Sequence, residues 1–158
     1  ALSVAGRMLF APLQHFKPVT ALVIITAMYF GSEAGFLTGA LSAVLSNFYF
    51  GQGPWTPFQM FSWGMIGFFS GLLAPLLRRS RIALCIWGGI GGVLYSFLMD
   101  IWTVLWADGY FNLPRYFAAI ASAVPVTAVY VVSNILFLLV LAKPIGKLLA
   151  RMKTKYAL

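Results

Sequence analysis

Residues 116–142 carry no charged side chain, and residues 82–106 carry only Asp100. About 20 mainly apolar residues suffice for a helix to cross the hydrocarbon core of a bilayer. Both stretches reach that length. Charge is scarce elsewhere too: 61% of the residues are hydrophobic, 9% are charged, and the mean hydropathy is +0.91. Soluble domains carry about 25% charged residues. Side chains of this kind must face lipid or one another, so the expected fold class is an all-α integral membrane protein.

One polar passage interrupts the apolar sequence, Gly51-Gln52-Gly53-Pro54-Trp55-Thr56-Pro57. Its glycines and prolines exclude a helix running through it. Gln52, Trp55, Thr56 and Gln59 set hydrogen-bonding groups beside an aromatic face. Non-helical backbone at membrane depth is tolerated only where protein buries it or where it lines a wet cavity. The passage is therefore expected to form the lip of a binding cavity.

Around it the chain divides into six transmembrane helices in one domain over 1–158: residues 1–13, 19–30, 34–50, 58–77, 82–106 and 115–142, followed by a basic tail at 143–158. The first is short for a span and either lacks its opening turns or begins at the interface. Its opening residues do not read as a signal peptide, because no basic region precedes the apolar run. Pro125 is expected to kink the sixth helix. Cys85, the single cysteine, lies in an apolar run and reads as packed and inert.

The net charge of +8 reports orientation. Arg78, Arg79 and Arg81, with Lys143, Lys147, Arg151, Lys153 and Lys155, fall on one side by parity of the spans, and Lys17 and Arg115 fall on the other. The positive-inside rule then places both termini in the cytoplasm of a multi-pass cell-membrane protein. No basic helix interleaved with aromatics is present, which argues against nucleic acid as a partner. Three loops, at 14–18, 51–57 and 107–114, converge on the outer face, where a ligand is expected to enter.

Three acidic residues and one histidine leave little for a hydrolytic or metal site. There is no P-loop, so the chain cannot drive itself with a nucleotide. Neither an enzyme nor a metal centre is expected. Asp100 is costly within a span unless it is paired or wet. It is read either as an ion-pair partner of Arg7, Arg115 or Lys17, or as a ligand contact. Arg7, in the first apolar run, likewise needs a partner or must snorkel. Asn47 and Asn134 are amides that commonly join helices in lipid, and both are also candidates for ligand contact.

The aromatic residues Trp55, Trp102 and Trp106 suit an interfacial belt. Trp63 and Tyr95 lie too deep for one and suit stacking on a planar or bulky apolar ligand. Trp55 and Trp102 are also candidates for ligand contact, and His15, Lys17, Gln52, Gln59 and Arg115 complete the candidate ligand-binding set. Ala1 and Ala5, beside Gly6, give the first helix a flat face. Small residues at this spacing commonly serve packing between helices.

Several of these residues together resemble the substrate-binding S-components of energy-coupling factor transporters. They are Ala1 and Ala5 with Gly6-Arg7, the Lys17-Pro18-Val19-Thr20-Ala21 start of the second helix, the 51–57 loop, and Asp100 with Asn134. The resemblance implies high-affinity binding of a vitamin on the outer side, with the vitamin as transported substrate and no cofactor. It also implies docking, through Ala1 and Ala5, on a transmembrane coupling subunit driven by two cytoplasmic ATPases, within the lipid bilayer. The 51–57 loop is similar to that of cobalamin-type members, and His15 could in principle approach a corrinoid cobalt. Riboflavin is the runner-up, because Trp and Tyr stacking with Asn and Gln hydrogen bonds suits an isoalloxazine equally well. A self-sufficient carrier or channel is the rival reading, but no paired repeat of the kind carriers use is visible.

Overall fold

The computed structural model describes residues 1–156. Seven helices follow in order: α1 Leu2–Leu9, α2 Val19–Phe30, α3 Ser32–Phe50, α4 Thr56–Leu72, α5 Ala74–Arg79, α6 Arg81–Asp108 and α7 Leu113–Lys155. No strand occurs among the described residues, and the all-α class stands.

Helix α2 is the central post. Its sequence is apolar on every side, and Val19 to Ile25, with Ala27 and Met28, is buried. A helix with no polar face is stable only when surrounded. All six other helices touch it.

The closest helix pair, α3 with α4, meets backbone to backbone. A Cβ on Gly35 would collide with the carbonyl of Gly67, and one on Gly39 with the backbone of Trp63. Small residues permit that approach where no hydrophobic force drives helices together in lipid. Helices α2 and α3 are joined through Gly31 alone, at φ 93° and ψ −179°. That region is essentially restricted to glycine. The break expected over 31–33 therefore shrinks to one residue, and α3 starts at Ser32.

Other boundaries also move. The span expected over 58–77 is two helices, because Pro75 in the first turn of α5 lacks the N–H that a continuous helix needs. Helix α6 is capped by Ser80, whose hydroxyl accepts from Ala83 N at 3.2 Å, and it ends at Gly109 in the left-handed conformation. The basic tail expected at 143–158 is helical: α7 passes through both Pro125 and Pro144 and continues to Lys155, while the last two residues of that tail lie outside the described residues. Its 43 residues make it about 65 Å long at 1.5 Å per residue.

Helix α1 covers less than the expected 1–13. It stops at Leu9, before Pro12, and residues 10–13 form turns. Eight residues rise only about 12 Å, well short of a hydrocarbon core of about 30 Å. Length and composition suit α6 and α7 to crossing a membrane, and α2 is a shorter apolar helix.

The outer surface is apolar and much of the interior is polar. Leu37, Leu41, Leu45 and Phe48 on α3, and Ile82, Ile86 and Ile90 on α6, are exposed. Ser42, Ser46, Asn47, Gln59, Ser62, Ser70 and Asn134 are buried. A contiguous apolar exterior of this kind is unusual for a protein surrounded by water.

Candidate binding cavity

A cavity of about 450 Å³ opens at the N-terminal end of α2. Helix α1 and the turn after it contribute Arg7, Gln14, His15 and Lys17, and the last residue of α3 contributes Phe50. Gln59 and Trp63 come from α4, Tyr95 from α6, and Tyr130 and Asn134 from α7. The size falls within the roughly 300–1,000 Å³ of small-molecule sites.

A hydrogen-bond relay holds these walls together. Arg7, only 9% exposed, donates to Asn47 Oδ1 at 2.8 Å and also to Ser46. The Asn47 amide donates to Gln59 Oε1 at 2.8 Å and to Thr56 Oγ1 at 3.0 Å. Gln59 in turn donates to the Tyr95 hydroxyl at 2.8 Å. One line of polar groups thus crosses from α1 through α3 and α4 to α6. Each member of a buried network that is satisfied in this way fixes its neighbour's orientation.

Aromatic rings complete the walls. Trp63 and Tyr95 stack with centroids 5.0 Å apart and planes 14° apart, and Tyr130 meets Tyr95 edge-on at 5.2 Å. The Arg7 guanidinium lies 4.6 Å from the Phe50 ring centroid and 5.1 Å from that of Trp63. Trp63 is 6% exposed, and its indole N–H has no partner among the described residues. A buried donor left unpaired costs about 1–3 kcal/mol, and a ligand acceptor would recover that cost.

His15 sits at the mouth with φ 62°, a left-handed conformation uncommon outside glycine. Its Nδ1 is 3.0 Å from the Tyr130 hydroxyl. Burial, then the Lys17 charge, holds its pKa below the usual histidine value. The Lys17 ammonium lies 4.4 Å from the Phe50 ring centroid. Its own pKa is lowered by burial and by Arg7.

Six of the twelve ligand-binding candidates read from the sequence line this cavity: His15, Lys17, Gln59, Trp63, Tyr95 and Asn134. Asn134 also joins helices, donating to Gly88 O at 2.9 Å. Asn47 stands behind the wall as the hub of the relay. The remaining five lie elsewhere. Gln52 folds back on α3, donating to Val44 O at 2.8 Å and accepting from Thr56 at 3.0 Å, and so shapes the loop. Trp55 precedes α4, 39% exposed, with its ring over Gly53. Trp102 packs against Phe58 and Trp106. Arg115 pairs with Asp108 at 3.0 Å and is half exposed.

Asp100 pairs with none of the three cations expected for it. Arg7 is engaged by Ser46 and Asn47, Arg115 by Asp108, and Lys17 lies over Phe50. Its Oδ2 is buried without a partner among the described residues, and Asp100 is not part of the cavity lining.

The sequence reading gave no ligand role to Arg7, Gln14, Phe50 or Tyr130. Arg7 carried a signal, as a charge in an apolar run. Phe50, directly before Gly51, and Tyr130, inside an unbroken apolar stretch, carried none.

The profile of the family described as ECF-type riboflavin transporter, S component, matches residues 1–151. The chain belongs to this family. An S component is part of a transporter, not an enzyme, and the vitamin is its transported substrate, so no cofactor is implied. The apolar exterior is accordingly that of a membrane protein. The match supports the S-component resemblance but not its cobalamin branch, and the family it names is the runner-up's. Curated proteins and solved structures give no match to the chain.

Proposed function

We propose that the chain is a flavin-binding S-component, taking riboflavin or a close derivative into the cavity at the N-terminal end of α2. The observation that carries this reading is the wall formed by stacked Trp63 and Tyr95, next to an unpartnered buried indole N–H. An isoalloxazine offers a flat face for the rings and carbonyl oxygens for the N–H. Gln14, Gln59 and Asn134 supply amides at its edge. A corrinoid is several times larger than a flavin, and about 450 Å³ is small for it.

In this reading the chain is a single multi-pass domain with both termini cytoplasmic, and the cavity faces outward. The apolar exterior and the basic residues at the opposite end of α2 support that orientation. Ala1 and Ala5 lie on the exposed side of α1, while Ser3 and Arg7 face α3. That small-residue face docks on the transmembrane coupling subunit, which two ATPases drive.

Purification from rich medium in mild detergent, followed by an absorption spectrum and mass spectrometry of the denatured extract, tests the ligand. A yellow preparation with near-stoichiometric flavin is expected. A flavin-free preparation that also fails to quench added riboflavin fluorescence would overturn the reading. For docking, Ala5→Trp is expected to abolish uptake by the assembled transporter with flavin binding intact, and undiminished uptake removes the claim.

A further inference from the structure

The cavity holds two cations and no acid. Among the described residues, the buried Arg7 has hydroxyl, amide and aromatic partners alone, and Lys17 has only the Phe50 ring. The three acidic residues of the chain are elsewhere: Asp108 is with Arg115, Glu33 starts α3 at the far end of α2, and Asp100 lies outside the cavity. Burying an uncompensated charge is expensive, and folds normally pair it. The Lys17 pKa is lowered, first by burial and then by the Arg7 charge.

The neutral donors point the same way. The Trp63 indole N–H is unpartnered, and the Tyr95 hydroxyl, which accepts from Gln59, has no acceptor for its own proton among the described residues. Four groups of the lining are therefore ready to donate, two of them charged.

We infer that the cavity is completed by a ligand bearing negative charge, and, resting on the flavin reading, that it prefers a flavin carrying a phosphate monoester on its ribityl chain to neutral riboflavin. The phosphate sits at the mouth, between Lys17 and Arg7, with the ring system against Trp63 and Tyr95. Charge-assisted hydrogen bonds from both cations are roughly twice as strong as neutral ones, and the opposite charge that Arg7 lacks among the described residues arrives with the substrate.

The test is a fluorescence titration of the full chain in detergent with riboflavin and with riboflavin 5′-phosphate, at low and high salt. The phosphate is expected to bind at least about tenfold more tightly at low salt, with a preference that shrinks as salt rises. Lys17→Gln is expected to weaken binding of the phosphate more than binding of riboflavin, and so to remove most of the preference, and Lys17→Arg to restore it. Equal or weaker binding of the phosphate overturns the inference and leaves the flavin reading standing. If neither flavin binds, the flavin reading fails, and thermal unfolding with inorganic pyrophosphate against chloride at matched ionic strength decides the charge claim. Stabilisation present in the wild type and lost in Lys17→Gln upholds it, and no difference sinks it. Stabilisation by phosphatidylglycerol in the micelle but not by pyrophosphate assigns the cations to a lipid headgroup and also sinks it.

Discussion

The two ends of α2 are built on opposite principles. Around its N-terminus, side chains hold the helices apart: Arg7, Asn47, Gln59 and Tyr95 bridge four helices and leave a cavity between them. Toward its C-terminus, side chains are removed so that backbones touch. Gly35 meets Gly67 and Gly71 lies against Ser32, while Gly146 leaves room for the Tyr29 ring. There the cations cap the helix, Arg78 donating to Met28 O and Lys153 to Tyr29 O at 3.2 Å. The last carbonyls of a helix lack intrahelical donors and carry partial negative charge. At one end the Trp63 indole N–H is left unpartnered among the described residues, and at the other the last carbonyls of the helix are satisfied by the chain itself. The contrast teaches where mutations should hurt folding and where they should hurt binding.

The largest effect is expected at the glycine end. Gly35→Val drives a side chain into the Gly67 carbonyl, where only backbone is available to move. Overpacking typically costs about 1–3 kcal/mol, occasionally more, and this site is expected at or above the top of that range. Size-exclusion profiles and melting curves in detergent check it. A monodisperse variant with wild-type melting would show that the backbone contact is not what holds α3 to α4.

Next come the cavity walls. Trp63→Ala and Gln59→Ala are each expected to weaken flavin binding by about 1–3 kcal/mol, as for a lost aromatic contact or an unpaired polar group. Asn134→Ala belongs in the same range, with some folding cost added, because its amide bonds α6. Titration of all three resolves the matter, and unchanged affinity throughout would move the ligand out of this cavity.

Smaller still is the effect of Arg115→Ala. Its partner is Asp108, the last residue of α6, in a pair that solvent reaches from the arginine side, and ion pairs open to solvent contribute roughly 0–1 kcal/mol. Flavin affinity should not change. A large loss of binding would extend the site to the α6–α7 loop.

The smallest expected effect is pH-dependent. Because folding lowers the His15 pKa, the unfolded chain binds a proton more readily, and stability declines as pH falls through the ordinary histidine value of about 6.5. Melting temperature is expected to drop slightly more in the wild type than in His15→Gln between about pH 7.5 and about pH 5.5. Parallel slopes would mean that His15 is in effect solvated.

Much of the fold is legible in residues whose meaning is local. Apolar runs announce α2, α6 and α7, Gly31 and Gly109 end helices, and the glycine–proline passage breaks the chain before Thr56. The α4–α5 break was also within reach, since Pro75 stands inside the expected span, two residues before its end. The course of residues 143–155 was not: basic charge suggested a tail, but packing of Ile145, Gly146 and Leu149 against the core continues the helix. For the site, deep aromatic and amide residues on α4, α6 and α7 stood out because lipid gives them no use. Asp100, Trp102 and Arg115 stood out equally and lie elsewhere.

By itself, then, the sequence determined the class of environment, the helical architecture and the kind of side chain that had to be buried, because hydrophobicity, helix breaking and charge cost are properties of short stretches. Which buried groups face one another was decided by tertiary structure alone. Arg7, Phe50 and Tyr130 come from three separate helices, and only the rotation of each helix about its own axis turns them into one cavity.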